Sequence, residues 1–310
     1  MKKITFILFF VLLFIGEIYS QSLYRFRFEE PWSIALSAGA TQYFGELYSF
    51  WKYDEGIQPD YNIQLTGRYT YGTRLKVRSD FTYYQISGQD PKADPVSYRP
   101  PRNLHFRARN FELSLINEYY LKPVKLYNLN RHFFNPYIFV GVGLSTNNPK
   151  ARLRGEWVPL RPLQIEEQNY KGIVVVFPMG LGFKYKANPY MDVFLEGNYR
   201  FTLTDYLDDI SAFNVSEFYE NLIADYGVAG EGPNPDRLRL AIRNPDYVLE
   251  NGEPNVDKIL QSNGRVRRGS GLENRYDGFL TINFGVEIYL AQDVWDNWIF
   301  RNRGRSYRFW

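Results

Sequence analysis

Cysteine is absent from the 310-residue chain. That excludes a disulfide framework, a thiolate zinc site and lipoprotein acylation. Histidine is nearly as scarce, with only His105 and His132. With no histidine pair at ligand spacing, no transition-metal site and no cofactor are expected. An excess of one charge is also lacking, since 37 Lys and Arg face 34 Asp and Glu for a net charge of +3. This is too small to imply nucleic acid as a partner. Long apolar runs are missing too. The run from Ile4 to Ile15 stops at Gly16-Glu17, well short of the roughly 20 residues that a spanning helix needs. No later stretch is more apolar. Two lysines precede the run, so residues 1–20 have the layout of a secretory signal peptide, with Gln21 first after cleavage. Residues 21–31 would form a periplasmic N-terminal segment.

What the chain does have is aromatic residues, at 18% of the total. They accompany a period-2 alternation of apolar and polar positions, which sets side chains on opposite faces of a sheet. Eight segments alternate in this way: 32–44, 59–71, 75–87, 106–120, 135–145, 173–185, 190–205 and 277–290. In the seventh, Met191, Val193, Leu195, Tyr199, Phe201 and Leu203 oppose Asp192, Glu196, Asn198, Arg200 and Thr202. A soluble sandwich alternates too, but its strands average about five or six residues, and a soluble lipocalin-like barrel stays open as the alternative. The segments here reach the 9–11 residues or so that a spanning strand needs. Their apolar faces end in Tyr69, Tyr71, Tyr83, Tyr119, Tyr185, Tyr199 and Phe201, as the aromatic girdles of transmembrane barrels do. With a periplasmic N-terminus the turns are 72–74, 121–134 and 186–189, and the outer loops are 45–58, 88–105, 146–172 and 206–276. Short inner turns and long outer loops complete the pattern. The expected fold is all-β: an eight-stranded antiparallel outer-membrane barrel over 32–290, embedded in outer-membrane lipid, with a long, partly helical fourth outer loop.

The inward faces would carry Arg68, Lys76, Arg78, Lys184 and Arg200 against Asp80, Glu112, Glu118, Asp192, Glu196 and Glu287. A barrel of about eight strands has room only for its own side chains or one small ligand. The expectation is a lumen closed by ion pairs, with no pore and no small-molecule substrate. Gly141, Gly143, Gly180 and Gly182 should also face the lumen and make room for long residues such as Arg200 and Glu287. Some small outer-membrane barrels are hydrolases that use Ser and His. Here His105 falls in an outer loop and His132 in a periplasmic turn, so no enzyme is expected.

Loop 206–276 contains two helix-like stretches. Asn214 or Ser216 would cap the first, which ends at Gly227, and Pro235 would begin the second, which ends at Asn244-Pro245. A basic run with Arg265, Arg267 and Arg268 follows. The loop reads either as a structured cap or docking surface, or as a mobile solvated loop. The tail 291–310 mixes Trp298, Arg301, Arg303, Arg305, Arg308 and Trp310, which suits a membrane interface or a partner's groove. In TDYLDDIS, Asp205, Asp208 and Asp209 should emerge beyond the girdle near Tyr206 and bond nearby backbone N–H groups. They offer too few ligands for a calcium loop.

ALSAGATQYFGEL (35–47), GLGFKYKANPYMDVFLEGNYRF (180–201) and TDYLDDIS (204–211) together resemble the PorG-type outer-membrane β-barrel of the Bacteroidetes type IX secretion system. Thr204, Asp205, Tyr206, Leu207, Asp208 and Asp209 carry the most specific part of that resemblance. The resemblance implies a non-enzymatic component of protein secretion and gliding motility, in contact with PorK- and PorN-like periplasmic ring proteins. The alternatives are a surface receptor or adhesin working through loop four, and a barrel enzyme acting on envelope lipids.

Overall fold

The computed structural model describes residues 32–47, 60–90, 100–124, 132–188, 191–269 and 276–290. The expected signal peptide, the segment 21–31 and the tail 291–310 lie outside these residues. In chain order the strands are β1 (Trp32–Phe44), β2 (Asp60–Thr70), β3 (Leu75–Gln89), β4 (His105–Tyr120) and β5 (Phe134–Thr146). Then come the short β6 (Pro149–Leu153) and β7 (Glu156–Pro159), followed by β8 (Ile173–Asn188), β9 (Met191–Thr202) and β10 (Gly278–Tyr289). All except β6 and β7 form a closed antiparallel ring, with β1 paired to β2 and β10, and β3 paired to β4. These eight are the predicted segments, with ends shifted by at most three residues.

The register sets Leu36 opposite both Leu65 and Val286. With a period of two, one such match places every apolar residue of a strand on the same face. That face points outward. Leu36 and Leu113 are 59% exposed and Phe284 is 60% exposed, whereas Arg68, Lys76, Asp80 and Glu287 are fully buried. Water would penalise a continuous apolar belt of this size, since soluble monomers rarely expose patches beyond roughly a few hundred Å². Hydrocarbon solvates it, and the inward polar face marks a transmembrane barrel. No described helix is long and apolar enough to cross a bilayer. The strands do the crossing, and the barrel sits in a Gram-negative outer membrane.

Two parts of the outer face differ from expectation. The segment 146–172 is not a plain loop. Its β6–β7 hairpin continues the sheet beyond β5, with Lys150 opposite Arg107 on β4. Arg154 and Gly155 turn the hairpin at φ 49° and 93°, as tight two-residue turns require. Between β9 and β10 lie three helices: α1 (Tyr219–Tyr226), α2 (Pro235–Ala241) and α3 (Val256–Gln261). The first two lie within the predicted stretches, and the third was not foreseen. Asn214 does not cap α1. Its Oδ1 accepts from the Ser216 N–H at 3.0 Å, forming a local turn. Asn255 does cap α3, accepting from the Lys258 N–H at 3.2 Å.

The helices close the outer mouth. Leu222, Tyr226, Leu238 and Ile259 share one buried cluster with Tyr84, Val176 and Phe279 of the strands. Of the two readings of loop four, the packed cap is the one the fold adopts. A second, smaller cluster of Ile116, Tyr120, Tyr137 and Phe139 lies toward the periplasmic end.

Candidate functional site

The eleven charged residues assigned to the lumen all lie inside the barrel, and each is at most 5% exposed. Arg78 on β3 is the hub. Its Nη1 reaches Glu118 at 2.7 Å and Glu196 at 2.6 Å, its Nη2 reaches Glu196 at 2.8 Å, and its Nε faces Asp80 at 3.0 Å. Arg68 extends the network, donating to Glu118 at 3.0 Å and facing Glu287 at 3.6 Å. Lys76 lies 3.3 Å from Glu287, which also pairs with Lys184. Tyr137 donates to Glu196 at 2.9 Å and Tyr289 to Asp192 at 2.8 Å. Arg200 and Glu112 form a separate pair nearer the outer mouth, at 2.8 Å. Buried charges are tolerated when paired and hydrogen-bonded in this way. Rings stack on the cations as well, with Arg68 over Phe194 at 4.9 Å and Arg78 over Phe139 at 4.7 Å.

The glycine pairs do line the lumen, but they make room for different residues than expected. A Cβ at Gly182 would strike the Tyr137 ring, and one at Gly180 would strike Phe139 and the Gly197 carbonyl. Ser114 and Ile116 crowd Gly143 and Gly141 in the same way. Gly180 and Gly182 therefore seat the aromatics that hold Arg78 and Glu196, and none of the four glycines makes room for Arg200 or Glu287. The clash is across the strand pair, which alternation alone does not reveal.

The acids of TDYLDDIS also need correction. They do not emerge into water: Asp208 is 1% exposed and Asp209 is 2% exposed. Loop four folds back over them. Asp208 accepts from the N–H groups of Ile210 at 3.1 Å and Leu47 at 3.2 Å. Bonding to backbone N–H groups is as expected, but one of these donors lies 161 residues away. Asp209 accepts from Tyr170 at 2.7 Å and from Arg268 at 3.2 Å. Tyr206, at the mouth, stacks on Tyr170 with ring centroids 5.1 Å apart. Asp205 accepts from Ser211 Oγ at 2.7 Å, and Leu207 is buried in the cap's apolar cluster. Thr204 Oγ1 accepts from the Tyr206 N–H at 3.1 Å.

Burial sets the electrostatics of this mouth. It pushes the Asp209 carboxyl up to about 7, against the pull of Arg268. It pushes Asp205 up to about 6, helped by Glu46 and Glu166 and opposed by the Ser211 hydroxyl. Asp208 is raised well above the aspartate range by burial and by neighbouring Asp277. Asp277, just before β10, is likewise raised by burial and accepts from Tyr43 at 2.8 Å and from the Leu207 N–H at 3.0 Å.

Sequence reasoning missed the groups that complete this site. Arg268 donates to Glu166 at 2.6 Å, and Arg102 donates to the Arg268 carbonyl at 2.6 Å while gripping Asp90 at 2.7 and 2.9 Å. The Glu166 carboxylate also accepts from the Ala212 N–H at 2.9 Å. Arg268 was visible only as part of a basic run. Its partners lie 59 and 102 residues away, so no local pattern links them.

Residues 6–223 match a family model described as a domain of unknown function, DUF6089. The chain belongs to this family. Among solved structures it is similar to Neisserial surface protein A, at 10% identity and a TM-score of 0.37, over 83% of this chain and 96% of that one. It is also similar to OprG from Pseudomonas aeruginosa, at 13% identity and a TM-score of 0.33, over 84% and 97% of the two chains. Ail of Yersinia pestis matches at 9% identity and a TM-score of 0.33, over 84% and 98%. No curated protein matches.

The two histidines of this DUF6089 barrel stand at opposite rims. His105, at the outer end of β4, accepts from the Arg152 N–H at 2.9 Å. His132 lines a small pocket at the periplasmic mouth with Lys76, Lys184 and Tyr289. The candidate partner contacts Trp298, Arg301, Arg303, Arg305, Arg308 and Trp310 lie outside the described residues.

Proposed function

We propose that this barrel is a non-enzymatic outer-membrane anchor of a protein-export machine, of the PorG type in type IX secretion. The observation that carries the proposal is the filled lumen capped by loop four. A barrel plugged by Arg78, Glu118 and Glu196 and lidded from above gives solutes no path, so its work falls to its two rims. The TDYLDDIS resemblance supports the export role, and the PorK- and PorN-like ring would be met at the periplasmic rim. The histidine positions support a non-enzymatic role, because His105 and His132 cannot share a site.

Two measurements test this. In planar bilayers the purified protein conducts no ions, and reproducible channels would refute the plugged-anchor reading. Deleting residues 291–310 removes co-purification of ring proteins from native outer membranes and impairs secretion. A second reading is favoured by one observation: loop four is a folded body with its own helices. If the tail deletion leaves secretion intact while replacing 212–265 abolishes binding to a surface ligand, the barrel is a surface receptor instead.

A further inference from the structure

The outer flank of β4 carries a basic groove that the anchor role does not use. Along β4, the outward-facing residues Leu115, Leu113 and Phe111 belong to the lipid belt, and the next two outward positions are Arg109 and Arg107. At about 3.4 Å per residue and a strand tilt near 40°, these arginines stand roughly 5 and 10 Å above Phe111. The bilayer's headgroup layer is about 5–7 Å deep on each side. The Arg109 backbone therefore lies within the headgroup layer and the Arg107 backbone just above it, within the reach of a long side chain to lipid phosphates. Lys150 on β6 is paired beside Arg107 and points outward too. Asn148, Trp157 and Pro159 complete the lining, which holds no carboxylate among the described residues. The Arg107 guanidinium lies 3.8 Å over the Trp157 ring, which fixes it against an indole of the type enriched at membrane interfaces. Arg109 donates to Gln85 at 2.9 Å, which orients its fork. Asp60, which acts on Arg107, already accepts from Gln85 and Ser87, each at 2.8 Å.

Below the groove, the belt is indented. Ser79 sits opposite Leu115 and Gly67 sits opposite Ser79. Leu113, Leu115, Val142 and Leu144 wall the depression on its other side. A cationic groove at the outer end of β4, with an apolar furrow farther down the same strand, matches an amphiphile with phosphate above and acyl chain below.

We propose that this flank binds a phosphorylated glycolipid of the outer leaflet, of the lipid A type. Arg107, Arg109 and Lys150 hold its phosphate, and the furrow beside Ser79 holds an acyl chain. The test uses the full chain in detergent micelles, titrated with diphosphoryl lipid A or its dephosphorylated form, with bound lipid counted by native mass spectrometry. The phosphorylated form should bind more tightly by about tenfold or more, and R107Q/R109Q/K150Q should erase that preference. R265Q, on the exposed face of the cap, should retain it. If the triple variant loses its heat-dependent gel shift, K150E alone should still weaken binding in a folded barrel. Equal affinity for the two lipids, or an unchanged preference in the folded variants, overturns the proposal. So does inorganic phosphate that binds as tightly as the lipid, because the ligand would then be the free anion.

Discussion

Replacing Arg78 with leucine tests whether the lumen is held by charge pairing or only filled by bulk. Arg78 meets Glu118, Glu196 and Asp80 within 3.0 Å, and all four side chains are fully buried. Leucine occupies part of the volume but leaves three carboxylates facing one another, with Arg68 as the main remaining counter-charge for Glu118. Removing one partner of a buried pair costs about 3–5 kcal/mol, chiefly as the penalty of an uncompensated buried charge. That shifts the folding equilibrium by roughly two to four orders of magnitude. The assay is a urea titration of protein in lipid vesicles, with the folded fraction read from gel mobility of unboiled samples. The double variant Arg78→Leu/Glu196→Gln removes the closest orphan and should recover a large share of the loss. Cost below about 1 kcal/mol for the single variant, with no gain in the double, would refute a network role.

Gly182→Val should destabilise the barrel by about 1–3 kcal/mol, because its side chain overlaps the Tyr137 ring that donates to Glu196. The same titration checks it. Arg268→Met should loosen loop four while sparing the barrel, since Glu166 and Asp209 lose their shared cation. Limited proteolysis should then cut within 203–277 while the gel shift persists. The cap should also weaken as pH rises. Burial lifts Asp209 to about 7 from 3.8, so the folded cap binds a proton that the opened cap releases. This contribution is complete below pH 4 and is lost as pH climbs to about 7, a change on the order of 2–4 kcal/mol. Hydrogen exchange of amides 207–212, corrected for intrinsic rate, should show easier opening at pH 8 than at pH 5. The reverse trend would sink this account.

The strands and the lumen charges were legible because lipid forces a strict rule. Outward residues at the depth of the lipid tails, such as Leu36, Leu113 and Phe284, must suit hydrocarbon, so a period of two survives in each strand. Arg68 and Glu287 could be placed inside from alternation alone. The cap follows no such rule. The burial of Asp208 and Asp209 depends on Tyr43, Glu166, Tyr170 and Arg268, which come together only in three dimensions. The β6–β7 hairpin was missed for a related reason. Its sequence, PKARLRGEWVP, is short and carries four charges, and its strands form by extending an existing edge on β4. Helix α3 is only six residues long, too short for a clear periodicity.

Asp277 gives the cap a temporal meaning. β1 and β10 are the first and last strands of the barrel, so their pairing is the longest-range event in its assembly. Asp277 stands at that seam, bonded from β1 by Tyr43 and from the cap by the Leu207 N–H. Until the first and last strands pair, the lid lacks one of its anchors. Closure of the ring and completion of the lid are therefore joined at one carboxylate, and the lid reaches its full set of bonds only once the first and last strands have paired.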